Sequence, residues 1–157
     1  MKIELMAIGR TSTRYLQDGI DVYLKRLSHY VPFEIKCLPD VKTSRSLTEE
    51  RQKEMEGEQF LAQLQPGDFL VLLDERGKEM TSRDFSVYID RKMSSVPKRM
   101  LFVIGGPYGF SKAMYERADD KISLSKMTFS HEMVRLFFTE QLYRAMTILR
   151  GEPYHHD

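Results

Sequence analysis

Two short segments hold the residues best suited to chemistry. The first is Gly105-Gly106-Pro107-Tyr108-Gly109-Phe110, which directly follows the apolar run Met100–Ile104. Glycines in such a turn let backbone approach backbone or a ligand closely and permit positive φ. The loop therefore reads either as a nucleotide-type cleft with backbone amides as the recognition groups or as a tight strand-to-helix turn. It is not GxGxxG and it lacks the Gly-Lys-Ser/Thr ending of a phosphate loop, which argues against ATP or GTP hydrolysis. The second segment is Leu124-Ser125-Lys126-Met127-Thr128-Phe129-Ser130-His131. It combines small hydroxyl residues, one cation and an apolar pair just before a helix, where free backbone donors suit an adenine edge or a carboxylate. An ordinary capped loop, with Ser130 as the cap, is the alternative.

The remaining candidates are sparser. The histidines are His29, His131, His155 and His156, with no HxxxH or HExxH spacing, so a zinc site is not expected. No Ser-His-Asp or Cys-His arrangement can be assembled. The tail Pro153-Tyr154-His155-His156-Asp157 is expected to fray as terminal residues do. Against that, Pro153 stiffens it, and an aromatic–imidazole pair is useful beside a nucleobase.

These segments must be positioned by regular elements, and the chain alternates between the two kinds. Ile3–Gly9 reads as a strand and Thr13–His29 as a helix with apolar residues at helical spacing. Phe33–Leu38 alternates apolar and polar, as expected of a strand near a sheet edge. Ser46-Leu47-Thr48-Glu49 matches a capping box opening a helix to about Leu64. Phe69–Leu73 and Met100–Ile104 are continuous apolar runs, the signature of buried parallel strands. Asp74–Lys78 reads as a polar loop after the first of them. A helix is expected from Thr81 to about Met93, a short one over Lys112–Ala118, a strand over Lys121–Leu124 and a long helix over His131–Leu149, stopped by Gly151. The alternation predicts a single α/β domain spanning 1–157, with a mostly parallel sheet and helices on both faces. Ligands in such sheets sit at the carboxyl ends of strands, so the loops after Leu73, Ile104 and Leu124 become candidates together. The last helix carries eleven apolar residues between Met133 and Leu149, too many for one stripe. Central burial is one account of it, and a homodimer interface is the other and the expected one.

Composition bounds the rest. At 157 residues, with 41% hydrophobic and 30% charged residues, the chain can bury a core without disulfides. The lone Cys37 excludes a disulfide framework and points to a reducing, cytoplasmic setting. No signal peptide and no run of the ~20 apolar residues needed for a membrane span is visible. A formal net charge of +1 excludes a strongly cationic nucleic-acid coat but not a local basic patch.

Taken together, the Gly105–Phe110 loop, the Leu124–His131 loop, Arg135 and the ending Gly151-Glu152-Pro153-Tyr154-His155 resemble the SPOUT class of S-adenosylmethionine-dependent methyltransferases. The resemblance covers the whole chain, including Ala7-Ile8-Gly9 and Glu56-Gly57-Glu58. Within that class it is to the branch that methylates a pseudouridine of 23S ribosomal RNA at N3. The resemblance implies a C-terminal trefoil knot, an exception to the rule that chains do not thread loops. It also implies a homodimer and S-adenosylmethionine bound by Leu73, Gly105, Leu124, Ser125, Lys126, Met127, Thr128 and Phe129. Arg135 would hold a phosphate or stabilise charge on a base oxygen, with a surface ion pair as its bland alternative. Tyr154 would stack on the base, and His155 would take its proton unless water does. Ser130 departs from the family pattern, standing where members commonly carry proline, yet it preserves a helix cap. With no appended RNA-binding domain, the substrate is expected to be recognised as the assembled shape of a ribosome. Arg10, Arg14, Lys42, Arg45, Arg76 and Lys78 are then the candidate phosphate contacts. Two alternatives remain open at this point: a SPOUT enzyme acting on another RNA such as transfer RNA, and a non-enzymatic, flavodoxin-like ligand-binding module.

Overall fold

The computed structural model describes all 157 residues, and the expected alternation is what it contains. In chain order the elements are β1 (Lys2–Ile8), α1 (Arg14–Leu27), β2 (Phe33–Leu38), α2 (Glu49–Leu61), β3 (Phe69–Glu79), α3 (Ser82–Ser95), β4 (Arg99–Ile104), α4 (Lys112–Arg117), β5 (Asp120–Ser123) and α5 (His131–Leu149). The five strands form one sheet in the order β2-β1-β4-β3-β5, and every pairing is parallel. This is not the 2-1-3-4-5 order of flavodoxin-like sheets, which removes the structural basis of that alternative.

The apolar runs explain the layers, because alternate residues of a strand point to opposite faces. Ile3, Leu5 and Ala7 of β1 and Met100, Phe102 and Ile104 of β4 join one core with Leu27, Phe85, Ile89, Phe138 and Leu142. Met6, Leu70, Leu72, Leu101 and Val103 face the other way, onto Phe60 of α2 and Met114 of α4. Helices α1, α3 and α5 therefore cover one face, with α5 packed between the other two, and α2 and α4 cover the other. The edge position of β2 agrees with its half-exposed pattern.

Three boundaries differ from the sequence reading. Helix α2 is capped by Thr48, whose hydroxyl accepts the Arg51 N–H at 3.0 Å, while Ser46 pairs with the Ser44 hydroxyl instead. It ends at Leu61, where the Gln63 N–H closes a tighter turn on the Phe60 carbonyl at 3.0 Å. Helix α1 has no side-chain cap of its own. Its start is capped from α5, since the Glu132 carboxylate accepts the Ser12 and Thr13 N–H groups at 2.6 and 3.1 Å.

The third difference bears on the site. Asp74–Lys78 is not a free loop: β3 continues to Glu79, and Ile122 of β5 is in register with both Leu73 and Lys78. The residues between leave the ladder and return across β5. A side chain at Gly77 would place its Cβ 2.7 Å from the backbone N and C of Ile122, so only glycine lets the two backbones cross there.

Candidate functional site

The carboxyl ends of β3, β4 and β5 converge on one cavity of about 390 Å³. Leu73 closes the ladder of β3, Ile104 and the Gly105–Phe110 loop extend β4, and the 124–129 loop carries the chain from β5 into α5. Seven of the eight residues that the resemblance assigns to a cofactor line it: Leu73, Gly105, Leu124, Ser125, Met127, Thr128 and Phe129. The eighth, Lys126, lies in the same loop but turns its ammonium outward to Glu79 at 3.5 Å, with its side chain 83% exposed. The volume lies within the range of about 300–1,000 Å³ usual for small-molecule sites.

Local chemistry holds the walls. Ser130 caps α5, accepting the Met133 N–H at 3.2 Å, so the departure from the family pattern keeps its structural role. The Ser123 hydroxyl donates to the Ser125 carbonyl at 2.9 Å, and the Met127 N–H donates to the Ser125 hydroxyl at 3.0 Å, which folds the 124–129 loop on itself. The glycine loop turns tightly, with the Gly109 N–H on the Gly106 carbonyl at 3.1 Å and Gly109 at φ +85°. Behind that wall lies the buried carboxylate of Glu56, so close that a Cβ on Gly106 would fall 2.4 Å from its Oε1. Glu56 of the second helix is therefore sufficient by itself to require glycine at 106.

The cavity also contains residues to which the sequence reading gave no role in the site. Asp74, Glu75, Tyr115 and His131 line it. The Tyr115 hydroxyl donates to Asp74, and burial together with that carboxylate pushes its phenol up to about 12, so it stays neutral. Asp74 and Glu75 were discoverable as carboxylates after a buried strand. Tyr115 was not, because nothing in a six-residue helix marks which side chain will face a distant loop.

The three residues assigned to catalysis are not in the cavity. Arg135 is completely buried. Its guanidinium donates to the carbonyls of Gly9 at 2.8 Å and Ile8 at 3.0 Å and to the Thr11 hydroxyl at 3.1 Å, and one of its amino groups lies 3.4 Å from Nδ1 of His131. Neither the surface ion pair nor the phosphate contact expected from the sequence fits this placement: the group ties the end of β1 to α5 and to a cavity-lining imidazole. Tyr154 packs edge-on against Tyr143 with ring centroids 4.7 Å apart and donates to Glu140 at 2.9 Å. Its phenol is pushed up by burial first, and then by its bonds with Tyr23 and Glu140. His155 sits between Arg144, 3.1 Å from Nδ1, and Asp157, 3.0 Å from Nε2. An arginine can only donate, so Nδ1 accepts and the ring proton is on Nε2, pointing at Asp157. The tail expected to fray is thus held along α5. Asp157 bonds Arg83 at 2.6 Å, and the Tyr30 hydroxyl donates to Glu152 at 2.6 Å.

The profile of a family described as "Predicted SPOUT methyltransferase" matches residues 1–155. The chain is 60% identical over 157 residues, all of both chains, to a protein of Parabacteroides distasonis named "Ribosomal RNA large subunit methyltransferase H". Proteins of the same name from Christiangramia forsetii, 58% identical over 99% of both chains, and Bacteroides thetaiotaomicron, 54% identical over all of both, are similar throughout.

Proposed function

Because the chain belongs to the SPOUT methyltransferase family, we propose that it methylates ribosomal RNA of the large subunit with S-adenosylmethionine as donor, at N3 of a pseudouridine in 23S RNA within assembled ribosomes. The observation that carries this reading is the meeting of three strand-end loops in one cavity whose lining includes seven of the family's donor-binding positions. The residues present suit that donor. Backbone groups of the glycine and 124–129 loops would hold the adenine and carboxylate edges, Leu73, Ile104, Phe110 and Val134 give apolar walls, and Asp74 and Glu75 would complement the donor's positive charge. When bound, the donor supplies an activated methyl group. The work left to the protein is then alignment of the acceptor nitrogen and removal of its proton.

Lys126 contributes through its backbone in this reading, since its ammonium faces solvent. Arg135 acts as a positioning residue that holds His131 and the end of β1. Tyr154 and His155 lie along α5, away from their own chain's cavity, so their part in the reaction requires a homodimer in which one subunit's tail serves the other's cavity. His155 accepts the N3 proton only after its Nδ1 parts from Arg144. A trefoil knot at the C-terminal end of the domain is part of this reading through the family.

Radiolabelled S-adenosylmethionine, offered with assembled ribosomes, naked 23S RNA and bulk transfer RNA from a strain lacking this enzyme, tests the reading. Label confined to 23S RNA of assembled ribosomes is the expected outcome. Label in transfer RNA would keep the donor and discard the substrate, and no transfer to any RNA would overturn the proposal.

A further inference from the structure

The folded chain leaves six large apolar side chains well exposed: Tyr15, Val22, Val87, Tyr108, Tyr115 and Met127. Three of them gather at one place. Tyr115 and Met127 line the cavity, and Tyr108 sits between its lining residues Pro107 and Gly109. Tyr115 is already engaged, through its hydroxyl on Asp74, its ring edge-on to Phe110 at 5.9 Å, and the Lys121 ammonium 5.5 Å from its centroid. Tyr108, 44% exposed, and Met127, 76% exposed, are left at the rim.

We propose that Tyr108 is the ring on which the acceptor base stacks, with Met127 as its apolar neighbour at the cavity mouth. The inference rests on the RNA methyltransferase reading above and names the substrate contact of that site. A ring nitrogen cannot reach a cavity while its base is stacked in RNA, so the base must be turned out, and the stacking it loses has to be recovered on the protein. The turn closed by Gly109 and Gly106 fixes the backbone that carries Tyr108, so little freedom is lost when a base settles on the ring. The surroundings suit a nucleotide more than a second apolar protein surface. Arg76 and Lys78 are exposed on the later part of β3, and Lys126, paired to Glu79 at 3.5 Å, is exposed next to Met127, so the chain beside the cavity carries cations that suit flanking phosphates. Tyr154, the stacking candidate of the sequence, is already committed to Tyr143 and Glu140.

The test compares Tyr108→Ala and Tyr108→Phe with the wild-type chain. It measures the S-adenosylmethionine dissociation constant by calorimetry and kcat/KM for methylation of assembled ribosomes. Loss of one stacked base lowers kcat/KM of Tyr108→Ala roughly 5- to 150-fold. Donor affinity should stay within about twofold in both variants, and Tyr108→Phe should retain the wild-type rate. Unchanged kcat/KM in Tyr108→Ala would overturn the proposal. So would a Phe variant as poor as the Ala variant, or a parallel loss of donor affinity. A wild-type chain that methylates no RNA marks the failure of the functional reading itself, whereas an active wild type with an equally active Tyr108→Ala marks the failure of this inference alone.

Discussion

Glu56 is the residue whose environment is least forgiving. It is 4% exposed, its Oε1 has no hydrogen-bond partner, and Gly106 presses against its carboxylate. Burial pushes its carboxyl above the ordinary range, Asp40 adds repulsion, and Gln52 opposes the shift in part. A carboxyl raised in the folded state stabilises below its unfolded pKa of about 4.3, and that contribution is lost as pH rises through the folded value. Glu56→Gln removes the titration while keeping the shape. Its urea midpoint at pH 8 should exceed that of the native chain, by about 1–2 kcal/mol in stability, with no gain at pH 4. A variant no more stable than the native chain at pH 8 would mean that the charged form has a partner. Arg135 illustrates the same scale differently, for a buried cation is tolerated where backbone carbonyls at the end of a strand receive it.

Among the elements, the sheet has two chemically distinct ends. The cavity occupies the carboxyl ends of the strands, and the amino ends are joined by ions. Arg99, at the start of β4, donates to both oxygens of Asp68 at 3.0 and 2.5 Å and to Glu4 of β1 at 3.3 Å. Lys2 links Glu4 to Glu34 of the edge strand at 3.3 and 3.0 Å. Burial alone would raise the Asp68 carboxyl, but its hydrogen bonds from Arg99 and the Gln65 N–H outweigh that and hold it below the ordinary range. A depressed carboxyl stabilises above its unfolded pKa of about 3.9, and the contribution disappears as pH falls through the lower folded value. Asp68→Asn should therefore cost about 3 kcal/mol at pH 7, because it leaves Arg99 under-compensated. Urea titrations should show that deficit shrinking below about pH 4. A deficit independent of pH would assign the loss to packing and not to charge.

For the whole molecule, the question is how one chain completes its site. The cavity is lined by the loops proposed to bind the donor, while Tyr154 and His155 are held along α5 on the same subunit. Helix α5 still shows the half-buried Met133, Leu136, Phe137 and Ile148 after packing on α1 and α3. A homodimer would account for both observations, and it is the prediction at this scale. Sedimentation equilibrium should give twice the 18.5 kDa of one chain at micromolar concentration, and methylation should weaken on dilution below the dimer's dissociation constant. A fully active species with the mass of one chain would sink this prediction and move the search for a base to His131, the imidazole that lines the cavity.

The sequence by itself determined what depends on neighbours within a few positions. It gave the alternation of strands and helices, the bounds of α5, the edge character of β2 and the three loops that end buried strands, because side-chain periodicity and capping are local. Tertiary structure decided which of these meet. The order β2-β1-β4-β3-β5, the return of β3 across β5 at Gly77, Tyr115 against Asp74, and Glu56 behind Gly106 all join residues far apart in the chain. Arg135 looked like a surface or substrate-facing cation on a helix. It is buried because α5 packs where the end of β1, 126 residues away, presents two carbonyls that no local pattern announces. The tail is ordered for the same reason: its partners Tyr30, Arg83, Glu140 and Arg144 come from three different helices and turns, and only the assembled fold brings them to one surface.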